Sequence, residues 1–175
     1  VFVISGTPGA GKSSVSRALM ARFVRGAHIP VDDLREFVVS GIAHPVAVWT
    51  PETARQFSLA RGNAALLARR FSDAGFAACV DDVCSAQDFE RDYAPHLSNL
   101  KPHRVLLLPS LAVALERNAM RTTKAFSSTT LEGVIRQLHA EFTAIDKPGW
   151  LVVDSSVLSV EETVDRILEL TGVTP

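Results

Sequence analysis

Gly6-Thr7-Pro8-Gly9-Ala10-Gly11-Lys12-Ser13 reads G-x-x-x-x-G-K-S, and it decides how the chain around it is organised. In front lies Val1-Phe2-Val3-Ile4-Ser5, an apolar, β-branched run that suits a buried parallel strand. Behind it, from Ser13 to Arg25, Val15, Leu19, Met20 and Phe23 recur at helical spacing. Strand, glycine-rich turn and helix form the context that gives this pattern its meaning. Glycines let the backbone curl so that successive N–H groups face an anion. The following helix adds unpaired N–H groups and a partial positive charge. Lys12 supplies a mobile ammonium for β- and γ-phosphates, and the Ser13 hydroxyl is a hard oxygen that suits Mg²⁺. Gly6 to Ser13, with Ser14 next on the helix, is therefore expected to hold a nucleoside triphosphate with Mg²⁺. The plain alternative is a glycine-rich turn that binds nothing.

A chain of 175 residues is expected to form one domain with a full core. With 18 basic and 19 acidic residues the net charge is −1, which argues against extended nucleic-acid binding. No apolar run approaches the ~18 residues of a membrane span, and no positively charged apolar leader is visible. Because the chain begins directly in a strand, a few residues are expected upstream. Cys79 sits in a strand-like run and reads as packing. Five residues from Cys84, with no matching Cys/His pair elsewhere, it forms no zinc pattern. This cysteine usage fits a reducing cytoplasm.

Apolar strand-like runs alternate with longer helical patterns, which means an α/β fold with a parallel sheet. Strands are expected over 1–5, 27–31, 77–81, 104–108 and 150–154. Helices are expected over 12–25, 33–40, 51–74, 87–99, 110–122, 130–145 and 160–171. Thr50-Pro51-Glu52 places a capping threonine before a proline at the first helical position. Gly75 and Gly172 are placed to end helices.

Asp32 and Asp33 follow the second strand, where open parallel sheets place their sites. Asp32, read as nearest the loop, can accept the proton of a substrate hydroxyl that attacks the γ-phosphate. Asp33 is either an acceptor contact or a plain acid in a first helical turn. Arg35 either binds a polar or anionic part of the acceptor or faces solvent. Phe76-Ala77-Ala78-Cys79-Val80-Asp81-Asp82 matches a Walker B strand, whose terminal acid orients Mg²⁺. Asp81 is the preferred metal residue, which leaves Asp82 as a candidate acceptor contact. Arg117 and Arg121 are four residues apart and share a helix face, which is either functional or simply solvated. The stretch 122–130 reads as a flap carrying Lys124. The segment after the fifth strand, Asp154-Ser155-Ser156, is placed to contact the base. Residues 36–63 overhang the acceptor side, and Trp49 there lines a pocket or packs in the core.

This layout resembles the P-loop small-molecule kinases over the whole chain, in particular the chloramphenicol phosphotransferase-like group and related ATP-binding P-loop kinases. The matching pieces are Gly6 to Ser13, Val31-Asp32, Val80-Asp81-Asp82, Arg117 with Arg121, and Asp154-Ser155-Ser156 before a final helix. The resemblance implies a three-layer α/β/α fold with a five-stranded parallel sheet in the order 2-3-1-4-5. The acceptor-side insertion would cover about 36–63 and a short lid about 121–130. It implies Asp32 as the carboxylate that activates the acceptor, Arg117 on the adenine ring, and Arg121 as a lid arginine on the transferring phosphate. The flap departs from the family in having one lysine and no arginine cluster. Residues 36–63 match no known acceptor site, so the family's particular substrate is not carried over.

The leading expectation is a phosphotransferase that uses ATP and Mg²⁺ to phosphorylate a hydroxyl of a small molecule. A kinase of nucleosides, nucleotides or nucleic-acid 5′-hydroxyls is the alternative. A guanine-nucleotide switch needs an N/T-K-x-D motif late in the chain, and Asp146-Lys147-Pro148-Gly149 does not supply it.

Overall fold

The structure, a computed structural model, describes residues 1–45, 48–120, 128–144, 146 and 148–175. Its strands are β1 (Phe2–Gly6), β2 (Gly26–Pro30), β3 (Ala77–Asp81), β4 (His103–Leu107) and β5 (Trp150–Val153). Each lies within a residue of its expected bounds. They pair in parallel throughout, in the order β2-β3-β1-β4-β5.

β1 is central and buried over its whole length, as a strand covered on both faces must be. Alternate residues go to opposite faces. Phe2, Ile4, Val105 and Leu107 pack with Leu19 of α1 (Lys12–Ala21) and with Val164 and Ile167 of α8 (Val160–Thr171). On the other face Val3, Val80 and Leu106 share a core with Ala60, Ala64 and Ala68 of α3 (Pro51–Asp73). Small alanines at helical spacing let α3 lie close to the sheet. Each fully buried aliphatic side chain in these layers contributes about 1.5–3 kcal/mol.

Local chemistry sets the helix starts. The Thr50 hydroxyl accepts from Thr53 N–H at 3.1 Å, and Thr50 N–H donates to the Thr53 hydroxyl at 3.4 Å. Pro51 then begins α3, as its sequence predicts. Ser159 and Glu162 form the same reciprocal box at the start of α8.

Three helices depart from expectation. α1 stops at Ala21, where Arg22 and Phe23 close short turns onto Leu19 and Met20 and send the chain into β2. α2 covers only Val31–Arg35. It starts early because Val31 is a buried anchor, and it stops early because Phe37 and Val39 face solvent. The helix expected over 87–99 divides into α4 (Ala86–Asp88), a π turn (Phe89–Tyr93), α5 (Ala94–Leu97) and a 3₁₀ turn (Ser98–Leu100). Pro95 has no N–H for an α-helical bond, and just before it Ala94 N–H reaches back five residues to the Phe89 carbonyl. The remaining helices are α6 (Leu111–Ala119) and α7 (Ser128–Ala144). No helix of the described residues is long and apolar enough to cross a membrane.

Candidate active site

The loop of Gly6 to Gly11 leaves the C-terminal end of β1 and turns into α1. Gly9 has φ 84°, and a Cβ there would lie 2.1 Å from the Ala114 carbonyl oxygen of α6. The glycine therefore lets α6 pack directly against the loop. Gly11 caps α1 with φ 93° and no side-chain cap, so the first amides of α1 remain available to an anion. Lys12 Nζ donates to the Thr7 carbonyl at 3.2 Å, which folds the ammonium over the loop.

A cleft of about 370 Å³ opens beside this loop. Gly9 to Gly11 and Ser13 to Val15 form one wall, and Arg117, Ser155, Leu158 and Val160 belong to the other. Such a volume is in the range of a small-ligand site. Arg117 of α6 donates from Nη2 to the Ser155 carbonyl at 2.9 Å and from Nη1 to the Ser155 hydroxyl at 3.4 Å. That anchorage leaves a planar cation over a cleft with apolar residues, an arrangement suited to a stacked purine. The structure thus brings Arg117 and the segment after β5 to the loop. Arg121 and Lys124 lie outside the described residues.

Asp81 ends β3 and is buried next to the loop. Burial pushes its carboxyl up, but His28, the Lys12 ammonium and the Ser13 hydroxyl, hydrogen-bonded to it, pull it further down, so it lies below the usual carboxylate value. Among the described residues no cluster of three or more His, Cys, Asp or Glu is placed to hold a metal with protein ligands alone. Ser13 and Asp81 instead bring a hydroxyl and a carboxylate together. Mg²⁺ is ordinarily held by one or two such oxygens with phosphate oxygens and water, so this donor set fits Mg²⁺.

Asp82, expected at the acceptor, is a correction. Its exposure is 4%. Its Oδ2 accepts from Arg61 Nε at 2.8 Å and from the Tyr93 hydroxyl at 2.9 Å, and its Oδ1 accepts from Val83 N–H at 2.7 Å. The reason is strand alternation: neighbouring residues at the end of β3 face opposite sides of the sheet. Asp81 faces the loop and Asp82 faces α3. Arg61, which the sequence reading missed, also pairs with Asp88 at 3.0 Å and with Asp92 at 3.4 Å. Its sign was there: an arginine on the α3 face otherwise formed by Phe57, Ala60, Ala64, Ala65 and Ala68 must be buried with partners.

Removing one member of such a network strands the others. Arg61→Leu is expected to destabilise the fold by about 3–5 kcal/mol in denaturant unfolding, because buried carboxylates lose their cation. For Asp88, burial raises the carboxyl, but Arg61, Ser85 and Arg91 pull it below its usual 3.8. For Asp92, burial likewise raises it, while Arg91, Ser58 and Arg61 pull it below 3.8. Folded pKa values below the unfolded ones add stability above pH 3.8 that is lost as pH falls through the folded values. Without Arg61 those values rise, so acid unfolding of the variant is expected at higher pH.

On the acceptor side β2 ends at Pro30, and Asp32 does not close the strand but lies exposed with Asp33 in the first turn of α2. Arg35 is turned inward, at 7% exposure. Its Nη2 donates to the Ala43 carbonyl at 2.7 Å, and its guanidinium carbon lies 3.9 Å from the Phe57 ring centroid. Burial lowers its pKa, and Asp32 and Asp82 oppose that shift only in part. Gln56 holds the same loop through Gly41 and Ala43, at 2.8 and 2.9 Å. Trp49 remains 55% exposed and stacks on Phe57 at 5.1 Å between centroids. Arg35 and Trp49 thus meet at Phe57.

No protein-family model matches the chain, and no curated protein matches it in sequence. Solved structures share its fold. A sugar kinase from Janibacter sp. HTCC2649 is similar with a TM-score of 0.71 at 15% identity, over 99% of this chain and 95% of that one. The tunicamycin resistance protein of Deinococcus radiodurans gives 0.69 at 16% identity, over 99% and 95%. Shikimate kinase from Bacteroides thetaiotaomicron gives 0.64 at 14% identity, over 98% of each chain. The chain therefore shares with these proteins an α/β fold built on a five-stranded parallel sheet.

Proposed function

We propose that this chain is a kinase that moves the γ-phosphate of ATP to a hydroxyl of a small molecule. The observation that carries the reading is the meeting of Lys12, Ser13 and Asp81 at the loop, beside a nucleotide-sized cleft crossed by Arg117. The acceptor oxygen forms a bond to the γ-phosphorus, the bond to the β,γ-bridging oxygen breaks, and ADP leaves. Asp32 takes the hydroxyl proton. The loop amides and Lys12 stabilise charge on the transferring group, a role proposed for Arg121 as well. Ser13 and Asp81 would hold Mg²⁺ with the nucleotide, and the ion would supply positive charge to offset that of the phosphates.

Asp33 and Trp49 are proposed as acceptor contacts, and Arg35, named with them in the sequence, as the buried residue that holds the loop beside them through the Ala43 carbonyl. Two of the compared proteins are named as sugar and shikimate kinases, so the acceptor is set by side chains and not by the fold. The test is acceptor-dependent ADP release across sugars, hydroxy acids, antibiotics, nucleosides and 5′-hydroxyl oligonucleotides. Release with a small hydroxylated compound and a phosphorylated product support the reading. ADP release that no acceptor stimulates overturns it. Arg117→Ala is expected to raise the KM for ATP about 10-fold with kcat within about 2-fold, since stacking on the base is equal in ground and transition states.

A further inference from the structure

Asp81 is held by a residue that lies outside the loop motif. His28 stands on β2, the strand beside β3, and its Nε2 lies 3.3 Å from Asp81 Oδ2. On the other side of the ring, Arg17 Nε of α1 donates to His28 Nδ1 at 3.4 Å. A guanidinium can only donate, so Nδ1 must present its lone pair. The proton of the neutral ring is then on Nε2, and His28 donates to Asp81. Arg17 thereby selects the tautomer. The His28 side chain is 12% exposed, so packing as well as hydrogen bonding holds the ring.

The geometry points to His28 as a positioning residue that fixes the Asp81 carboxylate for the Mg²⁺ bound with ATP. This rests on the reading that Ser13 and Asp81 serve that cation. Asp81 has two other suitors, the Lys12 ammonium and the Ser13 hydroxyl. A carboxylate free to rotate would settle on Lys12 and withdraw both groups from the phosphates. With one oxygen tied to His28, the carboxylate plane is set and Ser13 stays beside it. Outer partners of this type are worth about 10–100-fold in metal affinity.

The test is calorimetric titration of the full chain with ATP, once in EDTA and once in saturating MgCl₂. The unaltered chain is expected to bind ATP more tightly with Mg²⁺. In His28→Ala that tightening is expected to fall about 10-fold or more, with the affinity in EDTA unchanged. His28→Gln, whose amide nitrogen can occupy the place of Nε2, is expected to restore most of it. Arg17→Ala frees the tautomer and is expected to lose about 3-fold, below the range for removing the partner itself. If His28→Ala unfolds, His28→Gln against His28→Leu carries the same comparison, donor against no donor. Full Mg²⁺ tightening without a donor at position 28 overturns the role of His28 and leaves the metal reading standing. Equal losses in EDTA and Mg²⁺ also overturn it, because they mark a purely structural residue. An unaltered chain indifferent to Mg²⁺ overturns the metal reading and the role of His28 together.

Discussion

Lys12→Ala is expected to lower phosphoryl transfer about 10³-fold or more while the protein keeps its fold. The ammonium lies at the loop, partly exposed, and its bond to the Thr7 carbonyl stays within the loop itself. Its removal opens no cavity in either face of the sheet and takes only one of several partners from Asp81, so stability should fall by about 1 kcal/mol, too little to unfold the chain. The rate is another matter. During transfer, negative charge shifts onto the β,γ-bridging oxygen, and a cation fixed beside it acts mainly in the transition state. Single-turnover phosphoryl transfer and a thermal melt on the same sample separate the two effects. A variant that melts like the parent and retains more than about a tenth of the rate would mean that the charge is supplied elsewhere. A variant that melts far lower would make Lys12 a structural residue, which its position contradicts.

What was legible in the chain follows from the range of the interactions involved. The loop and its flanking strand and helix are decided within about twenty residues, and they lie where the sequence places them except that α1 ends early, at Ala21. Strand positions were legible because strands buried on both faces must be continuously apolar. The choice between Asp81 and Asp82 was readable only in part. Cys79 and Val80 are both apolar, so the pattern gives no face, and the separation of the two acids depends on α1 lying on one side and α3 on the other. His28 carried no local signal at all, because its partner lies 53 residues away across two parallel strands. α2 misled for a related reason. Its sequence continues well as a helix, but the chain beyond Arg35 has no surface on which to bury Phe37 and Val39. Arg35, a plausible surface residue in one dimension, is drawn inward by Phe57 and the Ala43 carbonyl.

The second large effect is expected at Asp32. Asp32→Asn should lower kcat by about 10²–10⁴-fold, the usual worth of a positioned base, and leave the Kd of Mg²⁺-ATP within about 2-fold. The isosteric amide keeps the side-chain volume in the first turn of α2. Losing the charge near that helix N-terminus costs about 0.3–1 kcal/mol of stability, too little to unfold the chain. The position on α2, and not on the strand end, makes the experiment discriminating. A carboxylate on β3 next to Ser13 answers to the cation, so replacing Asp81 should weaken Mg²⁺-ATP binding. A carboxylate on α2 that meets the acceptor hydroxyl should leave that binding alone and remove only the proton transfer. The two variants should therefore differ in kind: Asp81→Asn raises the Mg²⁺ requirement, while Asp32→Asn keeps it and loses turnover. If both lose Mg²⁺-ATP affinity alike, Asp32 belongs to the metal site and the base must be sought in the segment between Arg35 and Trp49. If Asp32→Asn turns over acceptor at the parental rate, position and orientation alone carry the acceptor step and no carboxylate base is needed there.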